Sequence, residues 1–135
     1  MKTTCVLFAG AILAGLCLSH SPSATAQQPK TKPVKGDNVM LVIYLKGKEV
    51  GGAISQGPGK TWYEDNDDGR FEFTECARDE WSVYMLKKDG ALIQLDLFTK
   101  KMYIVGGPLT PAEIRDPNLA LGRKKELYTI HKAYR

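Results

Sequence analysis

From Asn38 onward the chain is a succession of short apolar or alternating runs, each cut off by glycine, proline or an Asp/Asn turn. That punctuation constrains the fold more than any other feature. Runs this short bury their apolar side chains by pairing with one another, so the expected architecture is mostly β, a small antiparallel barrel or sandwich of about 6–8 strands. One short helix near 110–116 interrupts the pattern.

The first run, Val39 to Leu45, is apolar at every position, which reads as a central strand covered on both faces. Lys46-Gly47-Lys48 turns the chain. Glu49 to Ser55 is a weaker strand whose Gly51-Gly52 pair marks a bulge or a close approach. After the Gln56-Gly57-Pro58-Gly59 break, Lys60 to Glu64 forms a short strand. Arg70 to Cys76 alternates Phe71 and Phe73 with polar residues, as a half-buried strand does. Met102 to Val105 and Leu127 to Ala133 complete the set.

Trp81 to Leu86 and Ala91 to Leu97 form the clearest hairpin, and burial decides its register. A two-residue Asp89-Gly90 loop would set Met85 against Gln94 and Val83 against Asp96, mixing apolar and polar residues on both faces. A three-residue loop, Lys88-Asp89-Gly90, pairs Met85 with Ile93, Val83 with Leu95 and Trp81 with Leu97. One face is then wholly apolar, and Gly90 takes the left-handed position of a G1 bulge. The helix is announced by Thr110-Pro111-Ala112-Glu113, with Thr at the N-cap, Pro at the first helical position and Glu completing a capping box. Pro117 ends it at Asp116.

Ahead of this domain (38–135), residues 1–26 have the layout of a cleavable signal peptide. Lys2 supplies the charge, Cys5 to Leu18 the apolar core and Ala24-Thr25-Ala26 the cleavage site. His20 to Ser23 end the apolar run short of the ~20 residues needed to cross a bilayer, so no membrane span is expected after cleavage. The expected location is secreted or periplasmic. Residues 27–37, rich in Lys and Pro, read as a flexible basic tether.

Cleavage also removes Cys5, Cys17 and His20, which leaves Cys76 and His131 as the single cysteine and histidine. An internal disulfide is then impossible, a structural zinc site lacks ligands, and a Ser-His-Asp arrangement would rest on one histidine in a terminal strand. Losing Lys2 lowers the net charge from +4 to +3. The basic residues are scattered in short groups, so no nucleic-acid footprint is evident.

Three constellations remain. Glu64-Asp65-Asn66-Asp67-Asp68-Gly69 places oxygen side chains at Glu64, Asn66 and Asp68, glycine next and Glu75 at the twelfth position, which resembles an EF-hand calcium loop. The resemblance covers this loop alone, and it implies calcium held by Glu64, Asn66, Asp68 and Glu75. The same residues also suit an acidic hairpin turn. Tyr84, Gln94 and Asp96, with Ser82, share the polar face of the hairpin and could hold a sugar or peptide there. Trp62 and Tyr63 beside the glycine-rich 56–59 loop could anchor a ligand, although Trp62 equally suits the core.

The expected function is therefore a secreted or periplasmic non-enzymatic binding module for a saccharide or protein, without a cofactor other than a possible calcium ion. Alternatives are an inhibitor or interaction protein acting through loops 56–59 or 64–69 on an extracytoplasmic partner, and a small carboxylate-dependent hydrolase.

Overall fold

Inward and outward side chains alternate along eight strands in the computed structural model, which describes residues 32–135. The strands are β1 (Leu41–Lys46), β2 (Glu49–Gln56), β3 (Thr61–Asn66), β4 (Gly69–Arg78), β5 (Ser82–Lys87), β6 (Leu92–Asp96), β7 (Lys101–Val105) and β8 (Lys124–Tyr134). Each pairs antiparallel with its sequence neighbours, and β8 returns to β1, closing the sheet into a barrel. Closure gives every strand two hydrogen-bonded neighbours and leaves no edge.

The hairpin register follows the burial argument. Met85 faces Ile93, Val83 faces Leu95, Tyr84 faces Gln94 and Ser82 faces Asp96. Gly90 has φ 86°, the left-handed geometry of the three-residue loop. Gly51 is the unpaired residue of a β-bulge between Tyr44 and Leu45.

Inward-facing Val42, Tyr44, Ile54, Trp62, Phe73, Met85, Leu95, Met102 and Ile130 fill the barrel as one cluster. Each large apolar side chain removed from water in this way contributes about 1.5–3 kcal/mol. Leu41, Ile43 and Leu45 point outward and are only partly buried. The continuous apolar run of β1 is thus covered on one side among the described residues, not on both, and a closed barrel has no central strand for it to occupy.

Between β7 and β8 the chain forms a short helix, α1 (Pro111–Arg115), and a 3₁₀ helix (Pro117–Arg123). Thr110 and Glu113 make the reciprocal capping box, and Asp116 ends α1. Asp116 then caps the 3₁₀ helix by accepting from the Asn118 N–H. This strap packs on the outer wall of the barrel, where Ala120, Leu109 and Leu121 meet Tyr84, Leu92 and Val105 in a second apolar cluster.

The compact unit starts at Lys32, ahead of Asn38. Val34 packs against the barrel core, the Gly36 N–H donates to the Glu80 carbonyl at 2.8 Å, and Lys35 pairs with Glu80 and lies over the Trp81 ring. The second half of the expected tether is therefore docked on the β4–β5 turn. The expected signal peptide (1–26) and residues 27–31 lie outside the described residues. No helix among the described residues is long and apolar enough to cross a membrane.

Candidate functional site

An up-and-down barrel has two ends, and here they differ. One carries the turns at 57–60, 79–81 and 97–100 together with the docked segment 34–39, and it is filled. Glu75 and Arg78 form an ion pair at 2.6 Å inside it, and the Trp62 indole N–H donates to Glu75 at 2.8 Å. The Arg78 guanidinium also donates to Gln56 Oε1 and the Val39 carbonyl. These bonds tie β2, β4 and the entering chain across the opening.

The other end carries the turns at 47–48, 67–68 and 88–90 and opens on a cavity of about 260 Å³. Phe73, Ile93, Met102, Ile104 and Tyr128 line its walls, with Phe71 and Leu127 at the rim. Glu64 sits at its polar side, only 9 % exposed. Its position follows from strand periodicity: Trp62 faces the core, so Glu64, two residues on, must face inward as well.

Tyr44 and Asn66 hold this carboxylate. The Tyr44 hydroxyl and the Asn66 amide, at 3.1 Å, both donate to Glu64 Oε1. The Tyr44 ring lies against β2 and is stacked on Tyr128 with centroids 4.6 Å apart. Glycine permits that placement. A Cβ on Gly52 would stand 2.6 Å from the Tyr44 hydroxyl oxygen and 2.7 Å from the Asp65 carbonyl oxygen, and one on Gly51 would stand 2.7 Å from the ring. The Gly51-Gly52 pair thus marks the close approach of a side chain. Burial, reinforced by Glu64, raises the Tyr44 pKa well above that of an ordinary phenol, so the hydroxyl remains a donor.

The residues expected to form a calcium loop separate. Asn66 and Gly69 face each other across a two-residue Asp67-Asp68 turn, and Asn66 Oδ1 accepts from the Asp68 N–H at 2.9 Å. Asn and Asp therefore supply turn geometry here. Glu64, Asn66 and Asp68 line the open cavity, whereas Glu75 is committed to Arg78 and Trp62 at the filled end. The twelve-residue loop is instead a hairpin whose paired arms, β3 and β4, place Glu64 opposite Phe71 near the turn and Glu75 at the far end beside Lys60. Among the described residues no group of three or more His, Cys, Asp or Glu side chains is placed to hold a metal ion.

The polar hairpin face is not open either. Tyr84, Gln94 and Asp96 are buried on the outer wall, where the strap following β7 packs over Tyr84. Tyr84 Oη donates to Asp79 at 2.9 Å, Gln94 Nε2 donates to Ser82 Oγ at 3.1 Å, and Asp96 accepts the Phe98 and Thr99 N–H groups. Burial, with Asp79 alongside, pushes the Tyr84 phenol up to about 12. Their bonds are made within the chain, and the face serves packing. Cys76 lies beneath the same strap. Its Sγ sits 3.4 Å from the Tyr84 carbonyl, and burial raises its pKa, which keeps it an unreactive thiol.

Trp62 and Tyr63 point to opposite sides of β3. Trp62 is fully buried, while Tyr63 lies outside under the Arg70 guanidinium. They form no joint site. His131 is exposed on β8.

Sequence reasoning reached Glu64, Asn66 and Asp68 through the calcium resemblance and missed Tyr44 and Tyr128. The signal was present in both strands: Val42 to Tyr44 and Tyr128 to Ile130 are two-residue steps along apolar faces. Comparison of the chain with protein-family models, with curated proteins and with solved structures returns no match.

Proposed function

We propose that the chain is a secreted or periplasmic non-enzymatic binding module that takes a small ligand into the open end of its barrel. The observation that carries this reading is the asymmetry of the two ends. An eight-stranded barrel has an interior that side chains can fill or that can hold one small ligand. Arg78, Glu75 and Trp62 fill one half, and the other keeps a cavity with apolar walls and a few convergent polar groups, the usual make-up of a small-molecule site. At about 260 Å³ the cavity falls just under the ~300–1,000 Å³ of pockets that enclose drug-sized molecules. The ligand that fits is correspondingly small, or is one end of a larger saccharide or peptide.

Nuclear magnetic resonance of the isotope-labelled protein against a panel of small amphipathic molecules, monosaccharides and short peptides tests the proposal. Binding should shift the amides of Ile93, Met102, Ile104 and Tyr128 first. Shifts confined to the outer wall around Tyr84 and Gln94, or no shifts with any compound, would overturn it. Tryptophan fluorescence is a poor readout, because Trp62 lies at the filled end.

A further inference from the structure

Glu64 is more than nine-tenths buried, and the two donors that reach it, from Tyr44 and Asn66, are neutral and share Oε1. Among the described residues no donor reaches Oε2. Every fully buried side-chain oxygen or nitrogen described has a hydrogen-bond partner, so Oε2 is open to the cavity. No lysine or arginine among the described residues pairs with Glu64. Lys87, the cation among the residues lining the cavity, stands 3.3 Å from Asp89 across the β5–β6 turn. The carboxylate thus has no counter-ion within the described chain, and an incoming positive charge can supply one through a charge-assisted hydrogen bond.

The walls around it favour a cation as well. Tyr128, Phe71 and Phe73 border the space, and aromatic faces attract an ammonium group lying within ~6 Å of the ring centroid. Asp68 adds a second carboxylate at the rim. An anion entering here would meet Glu64 and Asp68 with Lys87 already engaged.

Resting on the reading of the open end as the ligand site, we infer that its ligand is a small amphipathic amine whose protonated nitrogen donates to Glu64 Oε2 while its apolar body lies along Phe73, Ile93 and Met102. Tyr44 and Asn66 hold the carboxylate in place for this contact and are positioning residues.

Three probes of nearly one shape separate the possibilities: phenethylamine, 2-phenylethanol and 3-phenylpropionate, titrated into the purified protein by calorimetry and followed by nuclear magnetic resonance. The amine should bind about tenfold or more tightly than either of the others, the scale of one charge-assisted hydrogen bond. Glu64→Gln should remove that preference while leaving 2-phenylethanol within about twofold of its affinity for the unaltered chain. The ranking of probes on the unaltered protein stands whether or not Glu64→Gln folds. Equal binding of the alcohol, or tighter binding of the carboxylate, at the same amides would overturn the amine inference and leave the open-end site intact. Absence of binding by all three would overturn the inference, and absence with the wider panel would remove the site as well.

Discussion

The barrel holds two inward-facing glutamates, one near each end, in opposite circumstances. Glu75 is paired with Arg78 and accepts from the Trp62 indole, so its charge is neutralised within the chain. Glu64 is held in place by a phenol and an amide, neither of which supplies charge. Partial burial of a complete ion pair closes an opening; burial of a lone carboxylate keeps an opening useful. The same side chain therefore acts as a bolt at one end and, in the proposed reading, as a recognition group at the other, and what separates the two is the cation at Arg78.

Arg78→Met tests the bolt and should have the largest effect. It leaves Glu75 buried without its counter-ion, a change that costs about 3–5 kcal/mol in fully buried pairs. The lower part of that range is expected, because the two side chains retain 19 % and 13 % exposure. Urea unfolding measures it. A loss below about 1 kcal/mol, the scale of a surface pair, would mean that Glu75 is no more committed than Glu64.

Gly52→Ala acts on the open end by driving a methyl group toward the Tyr44 hydroxyl and the Asp65 carbonyl. Overpacking of this kind costs about 1–3 kcal/mol, and displacement of the Tyr44 ring from Tyr128 should appear in the ring-proton resonances. Retention of both stability and ring contacts would show that the glycine is not what admits Tyr44.

The buried phenols extend the comparison to alkaline pH. Tyr84, at the Asp79 end, is raised from 10.0 to about 12, and Tyr44, beside Glu64, is raised further. The folded state favours the protonated form in both. Their contribution to stability is complete below pH 10 and is lost as pH climbs, with Tyr84 ionising near 12 and Tyr44 beyond it. Tyr84→Phe should flatten the decline in melting temperature between pH 10 and 12. An unchanged slope would mean that Tyr84 is not held by Asp79 as described.

Glu64→Gln should have the smallest effect on stability, a change of less than about 1 kcal/mol in either direction, since the amide keeps an oxygen for the Tyr44 and Asn66 donors and no counter-ion is left unpaired. A loss comparable to that of Arg78→Met would make Glu64 a second bolt and remove the contrast between the ends.

Strand periodicity made the fold class legible, because a two-residue repeat is local and survives in any β architecture. The register of the 81–97 hairpin and the Thr110 capping box were equally local and came out as read, although the strand bounds differ by one residue. What the sequence concealed was how the walls are covered. Alternation places Tyr84, Gln94 and Asp96 on one face, yet it says nothing of the strap after β7 that packs over Tyr84. The acidic 64–69 run carried two readings, and of these the acidic hairpin turn is the one the Asp67-Asp68 geometry takes up, whereas calcium spacing would need the chain to coil. Glu64 itself could be located once Trp62 was assigned to the core. Its nearness to Tyr44 depends on barrel closure and a β-bulge, which no local pattern encodes.

Every strand pairing in this barrel joins neighbours in sequence except the seam between β1 and β8. The pairings from β1–β2 to β6–β7 can form across short turns as each hairpin emerges and β7–β8 across the helical strap, whereas the seam waits for nearly the whole domain to be present and carries the largest loop-closure entropy. During synthesis, the growing sheet must therefore expose two unpaired edges, β1 and whichever strand came last, until Lys124–Tyr134 arrives. The exposed strand β8 is in this sense the timing element of the fold, and a chain truncated before it would remain a sheet with sticky margins.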